Sequence, residues 1–299
     1  MKNIYIRDNN SIFKISLKYF YALVPLILFG FYKNGIMLYQ KGLINFIGIF
    51  KPLLFIITGI IIGATVNFIY EKIINKNNNN LKDILFSSFH ILYGLITSCL
   101  VSINTNFFIF LVITFLVLFF SKILKIKSIN LMSLTSLLII LITYLISDFS
   151  YLNIYESNTI LNLNATDYLI GRGSGGIATT FIGGLIFSII ILWNERTYKK
   201  EVALYGIITF VGLIFLYVIY KSNVSSIFEL LFTNGILFSL IFVATDSVSS
   251  SYTKTGKIFY GIFTGLLTFI LYLINPAFSC LGAILISSIL SYIFDAKFE

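Results

Sequence analysis

The stretch Leu231-Phe-Thr-Asn-Gly-Ile-Leu-Phe-Ser-Leu-Ile-Phe-Val-Ala-Thr-Asp246 decides the architecture. Its apolar run, Leu231 to Ala244, is only about 14 residues before Thr245 and Asp246. A helix needs roughly 20 mostly apolar residues to cross a bilayer. A run this short suits a half-helix or a broken helix. An earlier stretch, Leu85-Phe-Ser-Ser-Phe-His-Ile-Leu-Tyr-Gly-Leu-Ile96, resembles it. Both begin Leu-Phe-hydroxyl, and both feed a short apolar segment that ends in polar residues. Farther on, Asn130-Leu-Met-Ser lies roughly 145 residues before Asn275-Pro-Ala-Phe, each opening the last helix of its half. Similarity between two apolar helices also arises by chance, so the repeat stands as an expectation.

Around these stretches the chain is lipid-like. Its 299 residues are 58% hydrophobic and only 11% charged, with mean hydropathy +0.95. A soluble domain is typically about 25% charged, so lipid must cover what polar groups here cannot. Ten spans are expected, at 17–32, 52–70, 84–102, 106–121, 131–147, 177–193, 202–220, 230–244, 258–274 and 277–294. The segment 34–50 suits an interfacial helix. Five spans per half is odd, so the second half must be inverted relative to the first. The expected fold is an all-α polytopic membrane protein: residues 1–147 as the first five-helix repeat, 148–176 as an outer connecting loop, and 177–299 as the second repeat. Inverted repeats with broken helices place a binding site near the midplane, between the halves.

Lys and Arg placement sets the expected orientation. With the N-terminus inside, only Lys33, Lys41, Lys51, Arg172 and Lys221 of the 21 basic residues fall outside. Both termini are therefore expected in the cytoplasm. The net charge of +9 is explained by topology, with no nucleic-acid surface required. The start of the chain shows no cleavable signal peptide, since it begins polar and lacks a small-residue cleavage site. Cys99 and Cys280 both lie in apolar segments, which excludes a disulfide framework. Two cysteines also fall short of the four thiolates of an iron–sulfur cluster.

Few residues suggest chemistry. Asp246 sits at the end of a membrane helix between Thr245 and Ser247, and an acid there is costly unless hydrated or paired. It is either a functional group or a solvated helix end. Gly171-Arg-Gly-Ser-Gly-Gly176 opens the sixth expected helix, where freed backbone N–H groups attract phosphate or carboxylate. The alternative is a flexible turn. No Gly-Lys-Ser/Thr ending follows, so this is no nucleotide-hydrolysing loop. His90, the only histidine, has no Cys, Asp or Glu at ligand spacing and reads as a satisfied buried side chain. Trp193 and many tyrosines fall near helix ends, as in an interfacial belt.

The run Ala244-Thr-Asp-Ser-Val-Ser-Ser-Ser-Tyr-Thr-Lys-Thr-Gly-Lys257 resembles the Ala-Thr-Asp-Pro-Val-Thr-Ser-Pro-x-Thr-x-x-Gly-Arg signature of the RnfD/NqrB family. These are membrane subunits of Rnf complexes and of the sodium-translocating NADH:quinone reductase. Tyr21-Ala-Leu-Val-Pro-Leu-Ile-Leu-Phe-Gly30 is similar to the family's first helix. Gly94-Leu-Ile, Asn130-Leu-Met and Leu169-Ile-Gly-Arg-Gly-Ser-Gly-Gly176 follow in family order. The resemblance covers about residues 15 to 295 and implies two inverted five-helix halves, like those of urea channels. It implies a bacterial cytoplasmic membrane and a redox-driven pump for sodium or protons, working with other subunits of an Rnf-like complex. It also implies FMN, joined through phosphate to a threonine in the outer loop, and a second, noncovalent flavin. The matching threonine is Thr166, in Asn164-Ala165-Thr166, which is also formally a glycosylation sequon. Gly173, Ser174 and Gly176 would then face the flavin, and Thr245, Asp246 and Ser247 would line an ion path or flavin site. Nicotinamide and iron–sulfur chemistry would belong to partner subunits.

The departures from the family are specific. Ile160 stands where an acid precedes the threonine, Ile177 replaces a glutamate, and the Asp-Gly-Ser-Ala motif before the third helix is not evident. Two alternatives therefore stay open: a urea-channel-like passive transporter, and a cofactor-free assembly subunit.

Overall fold

The computed structural model describes residues 12–76, 80–146, 150–151, 163–221 and 227–296. The described residues form helices and connecting turns, with no strand among them. In chain order the main helices are α1 (Ile12–Phe31), α2 (Lys51–Ile69), α3 (Leu81–Leu85), α4 (His90–Leu100), α5 (Phe107–Ile123), α6 (Leu131–Ile146), α7 (Ala165–Ile170), α8 (Ile182–Leu192), α9 (Lys200–Lys221), α10 (Ile227–Phe232), α11 (Ile236–Phe238), α12 (Lys254–Ile274) and α13 (Ser279–Ala296). Five helical stretches are long and apolar enough to cross a membrane: Ile12–Gln40, Phe46–Ile74, α9, α12 and α13. Helices α4, α5, α6 and α8 are apolar but shorter. The chain is a multi-pass membrane protein.

Its polarity is that of a membrane protein. Phe108, Leu145, Ile219 and Tyr220 lie on the outside, while Asn67, Thr97, Thr114, Asn130 and Ser133 are completely enclosed. Lipid is as apolar as a leucine side chain, so polar contacts and close backbone packing must hold such a bundle together. Gly59 and Gly63 of α2 let α4 approach until Gly94 meets Gly59, and His90 meets Gly63, backbone to backbone. Gly206, Gly261 and Gly265 do the same between α9 and α12.

Several expected spans differ from the folded chain. The first helix does not stop near 32. It continues through a π turn, Tyr32–Ile36, to Gln40, so the expected interfacial segment 34–50 is in part the continuation of the first helix beyond α1. Lys33, counted above among outer topology lysines, is buried in that turn, and its ammonium donates to Gly173 O. The expected span 84–102 is broken between α3 and α4. Ser87 and Ser88 turn their hydroxyls to other side chains there, Ser87 Oγ accepting from Lys122 and Ser88 Oγ donating to Asn67 Oδ1. Asn67 of α2 holds the break, with Nδ2 donating to Leu85 O and Ser88 O at 2.6 and 3.2 Å. The expected span 230–244 is also broken, as its length suggested. The break comes early, at Asn234 and Gly235, both with left-handed φ (57° and 66°). The helix then resumes as α11 and a π turn, Ser239–Val243.

The sixth span, expected from 177, begins only at Ile182. Gly171 to Gly176 therefore does not open it. Gly171 (φ 99°) instead terminates α7, with Gly171 N donating to Tyr168 O and Arg172 N to Asp167 O, as at many helix ends. The chain then runs inward as an irregular buried strip, whose Ile177 and Ala178 N–H groups donate to Val101 O and Cys99 O at the end of α4. Of the expected connecting loop, residues 148–149 and 152–162, Ile160 among them, lie outside the described residues.

Candidate functional site

Asp246 sits just past the π turn that ends the broken helix, and it is buried. A carboxylate there needs donors, and the fold brings three. Tyr93 Oη, from the half-helix α4, donates to Oδ1 at 3.1 Å. Ser249 N and Ser249 Oγ donate to Oδ2 at 3.1 and 2.7 Å. Asn130, at the start of α6, ties this turn down by donating to Val243 O and Ser249 Oγ. Lys199, in the turn between α8 and α9, donates to Ser247 O and Ser250 O at 3.1 and 2.7 Å.

Two openings meet at Asp246. One is a small cavity of about 10 Å³, lined by Tyr19, Tyr93, Thr197, Asp246 and Ser247 among others. That is room for about one water-sized particle. Thr197 Oγ1, which lines the cavity, and the neighbouring Tyr198 Oη are buried with no hydrogen-bond partner among the described residues. The second is a cleft of about 280 Å³, where Asp246 faces His90, Lys122 and Tyr70. Asp246 and Ser247 thus line open space, whereas Thr245 turns its hydroxyl back to Ile241 O at 2.6 Å and caps its own helix. Sequence reading missed Tyr93, Tyr19 and Thr197, because no local spacing links them to Asp246.

His90 is held as expected, with Nδ1 2.8 Å from Ser88 Oγ and Nε2 3.4 Å from Ser121 Oγ. Lys122 completes this polar network, donating to Asn67 Oδ1 and Ser87 Oγ at 2.7 and 3.0 Å, with Glu71 at 3.6 Å.

The Lys199 ammonium is pushed down to about 8 by burial, against the pull of the Asp246 carboxylate. Between pH 8 and its ordinary value the unfolded chain binds the proton and the folded chain does not, so stability rises with pH there. From pH 7 to 9.5 that gain is about 2 kcal/mol, or roughly 5 °C in apparent melting temperature. A Lys199→Met variant is expected to lose this pH-dependent rise relative to wild type. Equal pH profiles for the two proteins would place the titration elsewhere.

The second group of expected site residues lies elsewhere. Thr166 is exposed in the first turn of α7, inside a capping box formed by Asn164 and Asp167. Asp167 also pairs with Arg172 at 2.8 Å. Gly173 is buried beneath the Tyr168 ring, Ser174 O accepts from Asn234 N, and Gly176 is pressed against Cys99 O and Leu100 O. Thr166 is therefore open to solvent, whereas the glycine strip is packed into the protein and does not form an open cradle. Half-helix α4 links the two groups, touching Asp246 through Tyr93 and Gly176 through Leu100, roughly 10 Å apart along its axis.

A family model described as the NQR2, RnfD, RnfE family matches residues 1–298. The NqrB component of the Na(+)-translocating NADH-quinone reductase of Chlamydia pneumoniae is 43% identical over 67 residues, covering 22% of this chain and 13% of that protein. The NqrB protein of Stutzerimonas stutzeri is 32% identical over 126 residues, covering 38% and 29%. That of Neisseria meningitidis serogroup B is 29% identical over 145 residues, covering 43% and 33%. The matched regions span a third or less of the length of these curated relatives.

Proposed function

This chain belongs to the NQR2, RnfD, RnfE family, and we propose that it is the membrane subunit of a redox-driven, cation-translocating complex of that type. The observation that carries this reading is Asp246, a buried carboxylate set between a cavity of about 10 Å³ and an open cleft, within the run that most resembles the family signature. Buried acids in membrane proteins mark ion or proton paths. In this reading Asp246 and Ser247 offer oxygen ligands to a sodium ion or a relay for a proton. Tyr93 and Ser249 fix the carboxylate, and Lys199 sets its electrostatic surroundings.

The proposal includes two inverted five-helix repeats, residues 1–147 and 177–299, with ten crossings and both termini in the cytoplasm. Two observations support it. Leu85-Phe-Ser and Leu231-Phe-Thr each mark a helix break followed by a short apolar helix. The pairs related by such an axis also meet each other, α1 against α8 and α6 against α13.

Flavin enters as part of the same proposal. Thr166 would carry FMN through its phosphate, and a second, noncovalent flavin would lie within the bundle. A bound flavin supplies electron transfer between the soluble and membrane partners. Thr166 fits this role by its exposure. Gly173, Ser174 and Gly176 fit it only as the packed floor beneath α7. The test is in-gel flavin fluorescence of the denatured protein, wild type beside Thr166→Ala. Fluorescence that disappears in the variant supports the attachment, and fluorescence in neither removes covalent flavin. The buried glycine strip favours a second reading, a cofactor-free assembly subunit, for which the purified protein is colourless yet required for complex assembly.

A further inference from the structure

We propose that the cleft at the Ser121–Leu131 turn and the groove between α5 and α6 together hold one anionic phospholipid. The proposal shares the cleft beside Asp246 with the redox reading but does not rest on a redox role.

The two spaces adjoin each other. The cleft of about 280 Å³ is lined by Tyr70, His90, Lys122, Lys125 and Lys127. The groove, about 400 Å³, is lined by Ile113, Val117 and Phe120 of α5 and by Leu134, Leu138 and Ile142 of α6. Ser121, Ile126 and Leu131 line both. A polar, basic chamber thus borders a strip that is almost wholly apolar.

Length selects the occupant. From Leu131 to Ile142 the groove follows eleven residues of helix, roughly 16 Å. That is about half of a hydrocarbon core of roughly 30 Å, the depth of one leaflet. A partner transmembrane helix would use the full height, whereas an acyl chain ends at the midplane.

Charge selects the headgroup. Lys125 and Lys127 are exposed, and no described carboxylate forms a salt bridge with either. Lys122 is committed to Asn67, Ser87 and Glu71 and adds its charge from behind. Asp246 also faces the cleft, with Tyr93 and Ser249 donating to its oxygens, and the three lysines that line the same cleft outnumber this one carboxylate. Lys125 ends α5 with a left-handed φ of 52°, while Ile126 N donates back to Ser121 O. Glycine is the residue that suits this position. A lysine there retains a charge in the cleft at a conformational cost of about 1 kcal/mol. Basic pockets between membrane helices bind anionic headgroups in this way.

The test is native mass spectrometry of the full-length protein in detergent, titrated with phosphatidylglycerol or phosphatidylcholine. Wild type is expected to retain one phosphatidylglycerol in preference to phosphatidylcholine. The double variant Lys125→Ala/Lys127→Ala alters two exposed side chains and leaves the fold intact. It is expected to bind phosphatidylglycerol roughly thirty-fold more weakly, at about a factor of five per lysine. Leu138→Trp, which fills the groove, is expected to lose the lipid while its lysines remain. Equal retention of the two lipids by wild type, or an unchanged affinity in the double variant, overturns the proposal. Displacement by glycerol 3-phosphate at the lipid's own concentration also overturns it, because the site would then take a free phosphate.

Discussion

Gly94→Leu is expected to reduce the yield of monodisperse protein, by fluorescence-detected size exclusion, at least tenfold. A Cβ on Gly94 falls on the carbonyl oxygen of Gly59, and one on Gly59 falls on the carbonyl of Gly94. Backbone cannot rotate away as a side chain can, so the helices must separate. Ordinary overpacking costs about 1–3 kcal/mol, and a backbone collision at a glycine contact lies at or above the top of that range. Net stabilities are only about 5–15 kcal/mol. The effect reaches the site because α4 carries Tyr93 toward Asp246 and presents Cys99 and Leu100 to Gly176. Gly212→Ala is the control. Nothing lies within 4 Å of a Cβ at Gly212, in the middle of α9. It is expected to be neutral or to gain up to about 1 kcal/mol from helix propensity. Normal yield for Gly94→Leu would mean that α4 is not held by this contact.

Asp246→Asn is expected to assemble normally and to lower cation-coupled electron transfer at least tenfold, measured in membranes carrying the complex proposed above. The substitution is nearly isosteric. An asparagine Oδ1 can still accept from Ser249 N and Oγ, and its Nδ2 can donate to Tyr93, whose hydroxyl also accepts. Hydrogen bonding then changes by about 1 kcal/mol, too little to unfold the protein. The charge is what disappears, and a passing cation loses its ligand or relay. Tenfold corresponds to about 1.4 kcal/mol, a modest demand on one carboxylate. Full coupled activity in the Asp246→Asn variant would remove this residue from the path and leave Asp246 as the cap of its turn. Tyr93→Phe separates fixing from chemistry. It keeps the carboxylate and removes one donor, so a smaller loss is expected.

The class of this protein was legible without coordinates. Apolar runs of about membrane thickness depend only on local composition, and α9, α12 and α13 fall where those runs lie. The shortness of Leu231–Ala244 identified a broken helix for the same reason: chain length along a helix is a local property. The resemblance in Ala244–Lys257 was also legible, because the turn is built from neighbours, with Thr245, Ser249 and Ser250 bonding within four residues.

Tertiary contacts decided the rest. The helix α8 starts only at Ile182, and the strip before it is tied to the end of α4, where Ile177 and Ala178 donate their N–H groups to Val101 O and Cys99 O. Lys33 is buried because Gly173 O, 140 residues away, accepts its ammonium. The break after α3 is stabilised by Asn67, a residue of another helix. Asp246 meets Tyr93 across 153 residues. Periodicity reports which face of a segment is apolar, but it carries no information about which distant donor will satisfy a buried carboxylate. That choice is made only when the glycine contacts bring the backbones together.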